Sequence, residues 1–169
     1  CYGDGGAVFT DNSELHEVLK SIRVHGKGSS KYDNIRIGLN ARLDTIQAAI
    51  LLQKLKIFDD ELQERQEVAS YYNESLSDVV GVPLVSEEKR SAWAQYTIKL
   101  TKEMNRDTIM ANLQHVGVPT MIYYEKPLHL QTAYEHYPTT SDLKTSELLS
   151  RTVLSLPINK KLDPHSFFK

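Results

Sequence analysis

From Asn40 the chain settles into a long amphipathic pattern. Leu43, Ile46, Ile50, Leu51, Leu55, Phe58 and Leu62 recur at steps of three and four, the spacing of one helical face. Gln, Lys and Glu fill many of the remaining positions, and neither Gly nor Pro interrupts residues 41–80. The pattern predicts one helix over 41–77, with a bend near Phe58 to Asp60. At 1.5 Å per residue its length is roughly 50 Å, more than one small domain spans. Such a helix bridges two domains or packs in an oligomer.

The stretch before it reads differently. Ala7-Val8-Phe9-Thr10 is a short β-like run. Asp11 then caps a helix, with Glu14 in a capping-box position and Leu15, Val18, Leu19 and Ile22 on its apolar face. Residues 26–39 form a Gly-, Ser- and Asn-rich loop, long enough to suggest function. Beyond Gly81, alternation predicts a strand over Ala92 to Leu100. A helix follows over Arg106 to Val116, capped near Asn105 and stopped by Gly117. A second strand spans Val118 to Tyr124, and 125–140 is a loop. A helix over Ser141 to Thr152 leads into a strand from Val153 to Pro157. This β-α-β-α-β order predicts a compact α+β domain from about residue 78.

Composition narrows the class. The chain has 169 residues, 20 Lys+Arg against 22 Asp+Glu, and a formal net charge of −2. That balance argues against a broad nucleic-acid-binding surface. No apolar run is long enough to span a bilayer as a helix. The single cysteine, Cys1, excludes an intrachain disulfide and a multi-cysteine zinc site. The chain opens without an initiator Met, and Asp163-Pro164 at its far end reads as the opening turn of a helix. Both ends read as cuts in a longer polypeptide.

Local chemistry leaves alternatives open. Gly3, Gly5 and Gly6 suit a phosphate loop or a tight turn, but Val8 stands where the dinucleotide pattern needs its third Gly. Arg23, His25, Lys31, Tyr32 and Arg36 surround the Gly/Ser loop and suit either an anionic ligand or a solvated surface. Asn40 and Arg42 precede the long helix, where Asn serves as a cap or as a ligand contact. Tyr123, Tyr124 and His129 fall at a strand end and in the loop after it, with core packing as the plain alternative. No helical His pair at metal spacing and no Gly-x-Ser-x-Gly occurs. Asp59-Asp60-Glu61 and Glu87-Glu88 read as solvated faces.

Taken in order, these segments resemble a known family. Cys1-Tyr2-Gly3-Asp4-Gly5-Gly6-Ala7, Arg23-Val24-His25-Gly26, Gly38-Leu39-Asn40-Ala41-Arg42-Leu43-Asp44 and Gln47-Ala48-Ala49-Ile50-Leu51 resemble the sugar-nucleotide aminotransferases of the DegT/DnrJ/EryC1/StrS family. Gly117-Val118-Pro119-Thr120, Tyr123-Tyr124, Pro127-Leu128-His129-Leu130-Gln131 and Ser155-Leu156-Pro157 fit the same order. The branch it looks most similar to aminates a UDP-linked 3-keto-acetamido-glucuronic acid in surface-polysaccharide synthesis.

The resemblance implies an α/β enzyme of fold type I that uses pyridoxal 5'-phosphate as a cytoplasmic homodimer with shared active sites. It implies that residues 1–40 end the large cofactor domain, 41–77 connect, and 78–169 form the small α+β domain. The Schiff-base lysine is expected four residues before Cys1, so no catalytic residue and no metal site is expected here. Asn40 matches a residue at the cofactor phosphate of the other subunit. Arg42 matches one near the neighbour's substrate. Tyr124 and its neighbour Tyr123 match the sugar site, His129 the nucleotide-sugar, and Tyr32 a substrate-side loop. The closest branch can carry Asn at the His129 position and His at the Tyr123 position. The implied partners are a keto nucleotide-sugar and an amino donor, usually glutamate. Two other readings stand beside this one: a dehydratase of the same family, and a non-catalytic helical association module.

Overall fold

The computed structural model describes residues 3–30 and 32–158. Cys1, Tyr2, Lys31 and the helix opening expected at Asp163 lie outside the described residues. The chain divides between Phe58 and Asp59 into two compact units.

In the first unit, α1 (Ser13–Ile22) begins one residue later than expected. Asn12, not Asp11, is its cap, and the Asn12 side chain accepts from the Leu15 backbone N–H at 3.0 Å. The run Ala7 to Thr10 is no strand. It pairs with no other segment among the described residues, and Phe9 is 91% exposed. A β-prone sequence needs a neighbouring ladder to become a strand, and none is supplied here.

The single helix expected over 41–77 is two. α2 (Thr45–Leu55) ends where Lys56 and Ile57 donate to carbonyls three residues back, at Gln53 and Lys54, each at 3.2 Å. This tightened turn closes α2 before α3 (Phe58–Leu76) begins. Asp59, Asp60 and Glu61 fill the first turn of α3, where the unpaired N–H groups favour negative charge. Of these, Glu61 meets Arg65 at 3.9 Å and Asp59 meets Arg90 at 3.7 Å.

The second unit is built on a small sheet. β1 (Tyr96–Lys99) pairs antiparallel with β2 (Val153–Leu156), Tyr96 opposite Leu156 and Lys99 opposite Val153. Gly81 bridges the outer side of Lys99, and Met121 bridges the outer side of Ser155. The expected strand at 92–100 is shorter because Trp93 adopts a left-handed backbone, φ 46°. The expected strand at 118–124 contributes one bridge only, and Pro119 lacks the N–H that would extend pairing. Between β1 and β2 lie α4 (Arg106–His115), a 3-10 turn at Leu128–Leu130 and α5 (Lys144–Thr152). Asn105 caps α4 by accepting from the Thr108 backbone N–H at 2.9 Å. Gly117, φ 81°, ends it. Arg106 donates to the carbonyls of Ser150 at 2.6 Å and Val153 at 3.4 Å, tying the start of α4 to the end of α5.

Val68, Ala69 and Tyr72 of α3 pack with Trp93, Tyr96, Ile98, Leu100 and Leu154 as the core. Its three largest aromatic residues each satisfy their polar tip. Tyr72 donates to the Pro157 carbonyl at 2.9 Å, Tyr96 to Asn73 Oδ1 at 2.6 Å, and Trp93 Nε1 to Gln66 Oε1 at 2.8 Å. Among the described residues no helix is long and apolar enough to cross a membrane.

Burial, with Tyr71 alongside, pushes the Tyr72 phenol up to about 12, and burial with Tyr72 alongside does the same for Tyr96. An unfolded tyrosine ionises near 10, so between about pH 10 and 12 the unfolded chain has released protons that the fold retains. Stability is therefore full below about pH 10 and falls as pH rises towards 12. Urea midpoints across this range should show that decline, and a shallower one in Tyr72→Phe. The same substitution should cost about 1 kcal/mol near neutrality through the lost hydrogen bond. An unchanged alkaline slope in Tyr72→Phe would contradict the assignment.

Candidate functional site

In the first unit, backbone pairing presents Asn40 and Arg42. After α1 the chain turns through His25 and Gly26, both left-handed at φ 60° and 73°. It runs out to a tip and returns. His25 N–H donates to the Leu39 carbonyl at 2.9 Å, Leu39 N–H to Ile22 at 2.7 Å, and Ala41 N–H to Arg23 at 3.0 Å. These bonds bracket Asn40, which bridges to Val24. The two segments meet so closely that a Cβ on Gly38 would lie 2.0 Å from the Gly26 nitrogen. Tyr32 stands in the excursion of this loop, 87% exposed.

Arg42 Nε donates to Asn40 Oδ1 at 3.0 Å. The bond uses one lone pair of the amide oxygen and leaves Asn40 Nδ2 and the two Arg42 Nη groups as donors. Both residues are exposed. The pair therefore presents mainly donors, the arrangement that suits a phosphate or carboxylate.

In the second unit, Tyr123, Tyr124 and His129 come together. They line one pocket of about 620 Å³ with Lys126, Tyr134, Tyr137 and an apolar wall that includes Leu143 and Leu149. The Tyr123 and Tyr124 rings meet edge to face, 5.7 Å between centroids at 81°. Pro127 opens the 3-10 turn that carries His129, and Gln131 Nε2 folds back to the Lys126 carbonyl at 3.1 Å. His129 Nε2 lies 3.2 Å from Glu147 Oε1 in the first turn of α5. Aromatic faces with one imidazole and one ammonium suit a polyhydroxylated ring carrying negative charge.

The sequence alone did not single out Tyr134, Tyr137 or Glu147. The tyrosines sit in a loop whose turns bring them inward, with Tyr134 N–H donating to Gln131 at 2.8 Å and Tyr137 N–H to Tyr134 at 3.0 Å. Their spacing of three was the available signal. Glu147 is eighteen positions from His129, and nothing local marks that contact.

A model of the DegT/DnrJ/EryC1/StrS aminotransferase family matches residues 1–167. The chain is 42% identical over 167 residues to a Pseudomonas aeruginosa UDP-2-acetamido-2-deoxy-3-oxo-D-glucuronate aminotransferase, covering 98% of this chain and 45% of that protein. It is 37% identical over 156 residues to a dTDP-3-amino-3,6-dideoxy-alpha-D-galactopyranose transaminase from Aneurinibacillus thermoaerophilus, covering 92% of this chain and 42% of that protein. A crystal structure of a DegT DnrJ EryC1 StrS aminotransferase from Brucella abortus superposes with a TM-score of 0.87 at 51% identity, covering 94% of this chain and 43% of that one. The chain thus spans less than half the length of these relatives.

The close approach at Gly38 predicts that Gly38→Ala displaces the segment holding Asn40. Amide exchange at His25 and Leu39 should accelerate by at least about tenfold, since both N–H groups depend on that pairing. Exchange at Tyr96 and Ile98 should stay as it is. Unchanged protection at His25 and Leu39 would show that the loop tolerates the added methyl group.

Proposed function

The chain belongs to the DegT/DnrJ/EryC1/StrS aminotransferase family, and from that premise we propose that it is the C-terminal part of a fold type I enzyme that aminates a keto nucleotide-sugar. The observation that carries the reading is the pocket joining Tyr123, Tyr124 and His129, on a chain 42% identical to an enzyme of that activity. Residues 1–40 end the large domain and residues 78–169 form the small one. The enzyme works in the cytoplasm as a homodimer. The substrate is a UDP-linked keto-sugar of surface-polysaccharide synthesis, and glutamate is the amino donor.

The chain's own residues fit a share in holding pyridoxal phosphate. With Asn40 Oδ1 accepting from Arg42, the Asn40 amide still offers its N–H donors, and a phosphate is an acceptor. When bound, that cofactor supplies the electron sink at the carbon that exchanges its proton. Asn40 donates to its phosphate in the partner subunit. Arg42 pairs with the substrate carboxylate or pyrophosphate through its guanidinium fork. Tyr123 and Tyr124 pack against the sugar, His129 hydrogen-bonds the nucleotide-sugar, and Tyr32 covers it from the loop. These groups orient and bind. Bond-breaking falls to a lysine expected upstream of Cys1.

Two measurements follow. In the enzyme carrying this chain, glutamate-dependent amination of a UDP-linked 3-keto-acetamido-glucuronate should release 2-oxoglutarate. Arg42→Ala should raise the nucleotide-sugar KM about 10- to 100-fold, the loss of a charge-assisted anion contact. Elimination without 2-oxoglutarate would favour the dehydratase reading, and no turnover of nucleotide-sugars would overturn the proposal. The 169-residue chain alone, incubated with pyridoxal phosphate and borohydride, should yield no stable adduct at one specific lysine. Such an adduct would refute the upstream placement of the lysine.

A further inference from the structure

His129 faces the pocket, but the group that fixes its ring stands outside the pocket's lining. Glu147 is absent from that lining, and its Oε1 lies 3.2 Å from His129 Nε2. The His129 side chain is 16% exposed and Glu147 37%, so the contact is part-buried. Glu147 is itself anchored. Its N–H donates to the Leu143 carbonyl at 3.1 Å within α5. Its Oε2 lies 3.9 Å from Arg151 Nη2, while Arg151 Nε donates to the Glu147 carbonyl at 3.1 Å. Arg151 thus engages one carboxylate oxygen and leaves the other for the imidazole.

We propose that Glu147 is a positioning residue that locks His129 in the Nε2–H form and thereby commits Nδ1 to the ligand. An ionised carboxylate only accepts, so the atom it touches must carry the hydrogen. A neutral imidazole with hydrogen on Nε2 has its lone pair on Nδ1. Among the described residues His129 Nδ1 makes no hydrogen bond. With the ring neutral, the pocket therefore meets its ligand with an acceptor at this position, matched to a sugar hydroxyl or an amide N–H. Without Glu147 the ring is free to flip or change tautomer, and the Nδ1–H tautomer presents a donor instead. The specificity part of this inference rests on the nucleotide-sugar reading; the tautomer part does not.

The test separates the two. Imidazole 15N spectra of the full chain, recorded at alkaline pH with the ring neutral, report which nitrogen bears hydrogen. Wild type should show the Nε2–H pattern. Glu147→Ala should shift both nitrogens towards a mixed tautomer, and Glu147→Gln, whose amide oxygen still accepts, should keep the Nε2–H pattern with a displaced Nε2 resonance. An Nδ1–H pattern in wild type overturns the proposal, as does an unchanged spectrum in Glu147→Ala. Should Glu147→Ala fail to fold, the wild-type pattern and the Nε2 displacement in Glu147→Gln decide, and an unmoved Nε2 resonance there overturns it. In the enzyme carrying this chain, Glu147→Ala should raise the nucleotide-sugar KM about tenfold, the scale of one hydrogen bond, with the amino-donor KM unchanged and with recovery in Glu147→Gln. Equal increases in both KM values would reduce Glu147 to a structural role and overturn its part in specificity. Absence of amination altogether would defeat the functional reading and leave the 15N result standing.

Discussion

The second unit depends on burying three large aromatic residues without stranding their polar tips. Tyr72 and Tyr96 meet at 4.9 Å between ring centroids and Trp93 meets Tyr96 at 5.7 Å, joining α3 to β1. Each ring removes enough apolar surface from water to contribute on the order of 2 kcal/mol. An unpaired buried hydroxyl or indole N–H would cancel much of that, at about 1–3 kcal/mol each. The partners at Pro157, Asn73 and Gln66 prevent this. They also fix register, since Tyr72 reaches the residue just beyond β2 from the far side of the sequence. The pocket is a consequence. Val153 of β2 and Leu149 and Ser150 of α5 form part of its wall, so the core that holds β2 also holds the pocket's base.

The first unit is organised on another principle. Among its described residues only Ser21 and Gly26 are buried. Phe9 and Ile37 are almost fully exposed, at 91% and 97%. Shape there comes from backbone pairing: the hydrogen bonds between 22–25 and 39–41, made possible by glycines at 26 and 38. Ser21 adds a buried side-chain bond, its Oγ donating to the Lys27 carbonyl at 2.7 Å. Hydrogen bonds of this kind contribute modestly to net stability but are strongly directional. They can place Asn40 and Arg42 accurately without a large core beneath them.

This contrast explains which features were legible in the sequence. Helix starts with an Asx cap were readable in kind: α4 begins after Asn105 as its sequence implies, while α1 chose Asn12 over the adjacent Asp11. Two candidate caps side by side cannot be ranked by propensity alone. Strands were overcalled at 7–10, 92–95 and 118–124 because pairing is non-local. The break at Lys56 and Ile57 falls beside the bend expected near Phe58 to Asp60, where the acidic triplet at 59–61 signals a second start, but with no Gly or Pro to mark it the pattern reads as one bent helix. Tyr123, Tyr124 and His129 were legible as residues, through their ordered resemblance to a family. Their shared pocket, and the roles of Tyr134, Tyr137 and Glu147 around it, depend on turns and an eighteen-residue contact that no local pattern encodes.

On the proposed reading, the chemistry left to this chain is recognition. A donor-rich pair suits anions, and an aromatic pocket with an imidazole suits a sugar ring. Among the described residues no group of three or more His, Cys, Asp or Glu side chains could hold a metal ion. Rate enhancement from recognition groups comes through positioning: holding a reacting carbon in line with a base lowers the entropic part of the barrier. The demand on geometry is then stringent, because an error of about 1 Å in placement can cost about a hundredfold in rate. Local devices answer that demand: glycine-permitted backbone pairing under Asn40, and the Glu147 carboxylate beside His129. Recognition groups of this kind need no large core of their own, only a scaffold that leaves them one arrangement.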